Sequence, residues 1–322
     1  MVADVNVVSE ASPFHAGEMA MQQHAGVRDR LEEIGSRVIR DRMPDQHRLF
    51  FRMLPTLVVG SVDSQRRPWA SMLVGEPGFI KDLSAQRLRV DALPLPDDAL
   101  STNLRQGAPL GLLGLDPATR RRNRLNGRVA TIDGAGFELE VDQSFGNCPQ
   151  YIQARELQWV DAKAQEVRPL GEQIDGAARV LVEGADTFFI ASANAASDPQ
   201  DGVDVSHRGG KPGFVRVDDV DGASVLTFPE FRGNFFFNTL GNLLTHPHAG
   251  LLFIDPTSGD VLQLTGDAQV IADGAEPRSF KGAQYLVRVR TTSAVWRPAA
   301  LPLRWSSGEP ATQLAATGQW AQ

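Results

Sequence analysis

The chain repeats itself. Asn103–Gly127 reads NLRQGAPLGLLGLDPATRRRNRLNG and Asn242–Gly266 reads NLLTHPHAGLLFIDPTSGDVLQLTG. Aligned without a gap, the two segments agree at 9 of 25 positions, where ordinary residue usage gives roughly one or two. A PGF tripeptide precedes each copy at nearly the same offset, at Pro77–Phe79 and Pro212–Phe214. This fixed order implies two similar units of about 135 residues, joined near Val160–Ala185. Residues 1–165 are expected to hold an N-terminal helix and the first unit, and residues 166–322 the second.

Within each unit the apolar runs are short and bounded by turn residues. Thr56–Ser61, Trp69–Val74, Leu88–Ala92, Leu110–Leu115 and Arg122–Ile132 read as strands, with Ser101–Gln106 starting a short helix. The second unit repeats these roles from Thr187–Ala191 to Val261–Ile271. Short strands at regular spacing, with 30 Gly and 20 Pro for turns, predict a mainly β fold, a β-barrel or sandwich with peripheral helices. Val27, Leu31, Ile34 and Val38 recur at helical spacing ahead of Pro44, so a helix is expected on the outside of the first barrel.

Composition narrows the function. The net charge of −7 lacks the basic footprint of a general nucleic-acid binder. Cys148 is the one cysteine, so an internal disulfide or a CxxC metal or redox site is excluded. Leu110–Leu115 is far too short to span a membrane, and no Lys or Arg precedes Arg28 to form the basic start of a signal peptide. A cytoplasmic protein with neither nucleic-acid nor membrane partners is expected.

Polar clusters point to an anion. Val203–Val215 (VDVSHRGGKPGFV) joins a hydroxyl, an imidazole, two cations and three glycines. Arg and Lys form charge-assisted bonds to phosphate, and glycines let backbone N–H groups approach it. The plain alternative is a solvated hairpin turn. Phe228–Pro247 sets Asn234, Asn238, Thr239 and Asn242 among phenylalanines, with Asn238 and Asn242 on one helix face. A helix starting there would offer N–H groups to a phosphate, or be only a capped polar face. Arg122, Arg124 and Arg128 share a strand face that either is solvated or leans over an anion held by the second half. No histidine lies within twenty residues of Cys148, which favours a structural thiol over a nucleophile. His246 and His248 lack a third metal ligand.

Taken together, Phe14–Glu18 (FHAGE), Arg67–Ser71 (RPWAS), Arg120–Gly127 (RRRNRLNG), Gln143–Arg155 (QSFGNCPQYIQAR) and Gly202–Val215 (GVDVSHRGGKPGFV) resemble the pyridoxamine 5′-phosphate oxidase-like, FMN-binding split-barrel family, in its flavin-nucleotide-binding branch. The resemblance implies six-stranded antiparallel split barrels, here tandem copies forming a pseudo-dimer within one chain, with a homodimer of chains left open. It implies FMN as cofactor and a role in oxidoreduction of a small molecule. By the same resemblance, Ser206, Arg208, Lys211, Asn234, Asn238, Thr239 and Asn242 would contact phosphate. Gln263 would lie near the ring system, and Arg124 with the Cys148–Arg155 segment would close the other side.

Phe237-Asn238-Thr239 replaces the Ser-x-Lys phosphate clamp of the better-known oxidases, which argues against pyridoxamine phosphate as substrate. No catalytic residue and no metal is assigned. The rivals are a flavin carrier or sensor without turnover, and a haem-binding split barrel using His207, His246 or His248. The first half has LVGEPG where the second has SHRGGKPG, and Glu76 would repel phosphate, so one main site per chain is expected.

Overall fold

The computed structural model describes residues 12–163, 165–195 and 202–320. Three helices lead in: α1 (Ala16–His24), α2 (Arg28–Val38) and α3 (Asp45–Arg52). The first sheet comprises β1 (Thr56–Val62), β2 (Pro68–Val74), β3 (Ile80–Ser84), β4 (Arg87–Val90), β5 (Pro109–Asp116), β6 (Arg121–Asp133) and β7 (Gly136–Gly146), with α4 (Ala99–Asn103) before β5. A connector carries β8 (Leu157–Trp159), β9 (Arg168–Pro169) and α5 (Gly176–Gly184). The second sheet comprises β10 (Thr187–Ala193), β11 (Val203–Gly209), β12 (Arg216–Val220), β13 (Ala223–Phe231), β14 (His248–Ile254), β15 (Val261–Ile271) and β16 (Ala283–Arg297). Helix α6 (Asn238–Thr245) precedes β14, α7 (Ala275–Ser279) precedes β16, and β17 (Leu303–Trp305) pairs with β8.

The two sheets repeat one topology. Their orders are β2-β1-β5-β6-β7-β4-β3 and β11-β10-β14-β15-β16-β13-β12, and all pairs are antiparallel. Each half therefore orders seven strands, one more than the six expected, and β9 adds an eighth to the second sheet. The fold is mainly β, a tandem pair of split barrels packed as a pseudo-dimer.

Strand periodicity explains the packing. Leu57, Val59, Leu112 and Leu125 fill the first barrel, and Phe188, Ile190, Leu251 and Leu262 fill the second. Their neighbours Val58, Leu113, Phe189 and Leu252 point the other way and form a third core shared by both halves. The repeated Gly-Leu-Leu segment is apolar throughout because both its faces are buried. Its glycine is needed for close approach. A Cβ on Gly111 would lie 2.6 Å from the Val203 carbonyl oxygen, and one on Gly250 would lie 2.4 Å from that of Pro68.

One expectation changes. Helix α2 was expected on the outside of the first barrel. Leu31 instead packs with Phe14, with Phe145 of the first half and with Phe236 of the second, so it bridges the halves. The SHRG stretch, for which a hairpin turn is the plain alternative, lies in β11, paired in full register with β10. The alternation V-D-V-S-H-R suits a strand, and the turn begins only after Gly209. Helix α1 reaches across to α6, where a Cβ on Gly17 would lie 2.1 Å from the Gly241 carbonyl oxygen.

Candidate functional site

A cationic cleft forms where β6 of the first half meets β11 and α6 of the second. Arg122 and Arg124 alternate with Asn123 on β6, so both project to the same side. The extra residue at the Asn126/Gly127 register shift lies on β7, and Leu125 and Val129 both stay in the barrel core, so Arg128 keeps to the arginine face but sits farther along the strand, 3.9 Å from Asp142 and outside the cleft. Sequence alternation placed Arg128 on the shared face, and it lies there, lining a neighbouring pocket with Asp142, Asp204 and Asn238 instead of the cleft.

Arg124 crosses between the halves. Its Nη1 donates to Asp204 Oδ2 at 2.8 Å and to Asn238 Oδ1 at 2.8 Å, and its Nη2 donates to the Ser206 hydroxyl. Thr239 Oγ1 lies 3.1 Å from Ser206 Oγ. Burial dominates the electrostatics of the Arg124–Asp204 pair, lowering the guanidinium and raising the carboxyl, with each partner offsetting part of the effect on the other. Arg208 Nε pairs with Glu230 Oε2 at 2.7 Å.

Arg122 differs. Its Nε donates to the Cys148 carbonyl oxygen at 2.8 Å and its Nη1 lies 3.2 Å from His207 Nδ1, so its partners in the cleft are neutral. Burial first, then the charges of Arg124 and Arg208, pull its pKa down to about 9. It remains a cation at neutral pH, held among like charges. Burial first, then the charges of Arg122 and Arg208, hold the His207 imidazole well below its ordinary range, so the ring is neutral. Arginine only donates, so His207 Nδ1 accepts and Nε2 carries the proton.

Several features in this cleft are under-satisfied. Arg124 Nε, Asn147 Oδ1, Gln150 Oε1 and His207 Nε2 are buried without a hydrogen-bond partner among the described residues, and all four residues line the cleft. Such groups are unfavourable unless something pairs with them. Phe237 is the N-cap of α6 and supplies no side-chain cap, which leaves first-turn N–H groups for an anion. Tyr151, Phe235 and Phe237 line the cleft with φ of 62°, 63° and 62°. Left-handed backbone at bulky residues is strained, and such strain clusters at ligand sites.

Behind the cleft, Glu18 of α1 is fully buried. Its Oε2 accepts from the His15 N–H at 2.9 Å, and its Oε1 accepts from Asn238 Nδ2. Burial, chiefly, pushes its pKa up to about 8, with Asp204 adding and Arg124 opposing. The FHAGE segment thus supplies a capping box that also grips α6 through Asn238.

The structure brings Arg124, Ser206, Arg208, Asn234, Asn238 and Thr239 to one cleft. It does not bring the remaining three. Lys211 Nζ donates to the Thr317 carbonyl oxygen at 2.9 Å, because the turn after β11 carries it toward the C-terminal segment. Asn242 lies a turn deeper on α6 and donates to Ser192 Oγ at 3.0 Å, as Asn103 does to Ser61 Oγ at 2.9 Å in the first half. Gln263 sits at the equivalent place in the other half. Arg122, His207 and Tyr151 also belong to the cleft, coming from the basic strand, the Val203–Val215 cluster and the Cys148–Arg155 segment. The basic strand had put Arg122 in view, whereas nothing in the sequence pointed to His207 as a partner of Arg122.

The mirrored position closes instead of opening. Strand register equates Ser206 with Ser71, Arg208 with Leu73, Arg124 with Gln263 and Arg122 with Val261. Gln263 Nε2 donates to Ser71 Oγ at 3.1 Å and Asp98 Oδ2 at 3.0 Å, and its Oε1 accepts from Arg297 Nη1 at 2.5 Å. The three arginines have no counterpart there, and one buried network fills the space.

No family model matches the chain, and no curated protein matches it. Among solved structures, similarity is found to a HupZ structure from Group A Streptococcus (10% identity, covering 38% of this chain and 92% of that one, TM-score 0.30). A putative pyridoxamine 5′-phosphate oxidase from Lactobacillus delbrueckii (14%, 37% and 91%, TM-score 0.29) and a FAD-binding protein from Mesorhizobium loti (12%, 42% and 99%, TM-score 0.26) are also similar. No helix among the described residues is long and apolar enough to cross a membrane.

Proposed function

We propose that the cationic cleft binds the phosphate of FMN and that the chain is a flavin-dependent oxidoreductase with one site built from both halves. The observation that carries this reading is Arg122, a half-buried cation whose hydrogen-bond partners in the cleft are neutral, whereas the neighbouring Arg124 and Arg208 are paired with Asp204 and Glu230. A phosphate supplies the charge that this cluster lacks. The residues present fit it: three guanidinium groups, the Ser206 and Thr239 hydroxyls, the Asn238 amide and an uncapped helix start converge on one wall.

When bound, the flavin supplies the redox chemistry. The chain's own groups bind, orient and exclude water. Arg122, Arg124 and Arg208 neutralise the phosphate, while Tyr151, Phe235 and Phe237 offer apolar surface to a planar ring. The test is competition between FMN and riboflavin for flavin-free protein. Charge-assisted contacts of this kind give FMN an advantage of roughly 100-fold. Equal affinity for both would remove the phosphate from the account. Reduction of bound FMN by NADPH or another donor then separates an oxidoreductase from a carrier.

A further inference from the structure

A second chamber lies between the halves, with His207 as a wall shared with the cationic cleft. Its volume is about 560 Å³, within the range of small-molecule sites. Equivalent residues of the two halves line it together: Val58 and Phe189, Met72 and His207, Leu115 and Ile254. It therefore straddles the pseudo-twofold axis. Trp296 and Trp305 line it further. On α5, Val180 lines it while 71% exposed, so its apolar surface continues to solvent.

Its charge is opposite to that of the cleft. Arg155 is committed, with Nη2 on Asp186 Oδ2 at 2.5 Å and Nη1 on the Ser306 carbonyl oxygen at 2.8 Å. Two further lining carboxylates are held by backbone and hydroxyl donors instead of by a cation. Asp255 accepts from the Thr257 N–H at 2.7 Å and Asp260 from the Ala299 N–H at 2.6 Å. The hydrogen bonds around Asp255 hold it below the usual carboxylate range, although burial alone would raise it, so it stays charged at neutral pH.

We propose that this chamber is a ligand site for a neutral or cationic small molecule with an aromatic or aliphatic body, and that it discriminates against apolar anions. Apolar walls with two tryptophans favour such a body. The unneutralised carboxylates repel a sulfonate, carboxylate or phosphate, which also separates this chamber from any flavin phosphate site. The inference stands independently of what the cleft binds.

The test uses the full chain, the neutral probe N-phenyl-1-naphthylamine and the anionic probe 8-anilinonaphthalene-1-sulfonate. Probe emission and tryptophan quenching are both read. The neutral probe is expected to bind at one per chain, to quench tryptophan, and to bind at least about 10-fold tighter than the sulfonate. Val58→Phe, which copies Phe189, and Leu115→Phe narrow the chamber and should each weaken the neutral probe about 10-fold. Asp255→Asn leaves the walls intact and should raise sulfonate affinity. Equal or tighter sulfonate binding overturns the proposal, as does no binding of the neutral probe. Unchanged neutral-probe affinity in the narrowed variants, with their unfolding transitions intact, also overturns it. Should neither narrowed variant fold, the probe preference of the wild-type chain and the response of Asp255→Asn decide the question.

Discussion

Arg124 and Gln263 occupy the same place in the two copies of the hairpin, and each crosses to the equivalent serine of the opposite half. Arg124 donates to Ser206, and Gln263 donates to Ser71 at 3.1 Å. One crossing opens onto a cleft rich in arginine, and the other ends in a filled network with Asp98 and Arg297. A single topology thus carries two chemically different junctions.

That asymmetry predicts unequal effects of substitution. Arg122→Gln removes the cation with neutral partners and should weaken FMN binding at least about 10-fold. Gln263→Leu should leave FMN affinity within about twofold while lowering stability, because it strands buried Asp98 and Arg297. Quenching of flavin fluorescence measures the first effect and urea unfolding the second. Equal losses of FMN affinity would contradict the assignment of the two junctions.

The junction itself rests on paired glycines. Gly111→Ala and Gly250→Ala each force a methyl group against backbone across the interface, at 2.6 Å and 2.4 Å. Backbone yields poorly, so each should destabilise the chain by about 1–3 kcal/mol, the range for overpacking. Gly134→Ala is the control, since a Cβ there meets nothing within 4 Å. Thermal melting of the three variants reads the difference.

Glu18 predicts a pH dependence. With its pKa at about 8 instead of 4.5, the folded chain retains a proton that the unfolded chain has released between those values. This contribution to stability is full below the unfolded value and is lost as pH rises through about 8. Wild-type stability from this group should therefore fall between pH 5 and 8.5, by a few kcal/mol at most. Glu18→Gln should flatten that slope. Urea midpoints across the range check it, and parallel curves for the two proteins would contradict it.

Much of the architecture was legible in the sequence because the repeat carries it. GLL and DP mark the same strand and turn in each half, and the glycine of GLL recurs because it meets backbone of the other half. Strand β16 lies beyond the repeated segments, so the repeat does not mark it, although Gly282 and Pro298 bound its 15 residues. At the site, residue types were readable but side-chain directions were not. Lys211 and Arg208 are three positions apart, yet the end of β11 sends one to Thr317 and leaves the other in the cleft. Gln263 matched a family position, but the crossing of the two hairpins delivers it to the opposite junction.

The central claim is that one cleft per chain, assembled from both halves, takes one FMN. The most direct measurement is titration of flavin-free protein with FMN, followed by the absorption spectrum and by bound flavin per chain. The account predicts a yellow complex saturating at one FMN per chain. Saturation at two would make the Gln263 junction a working site, and a protein that stays colourless at saturating FMN would contradict the account altogether.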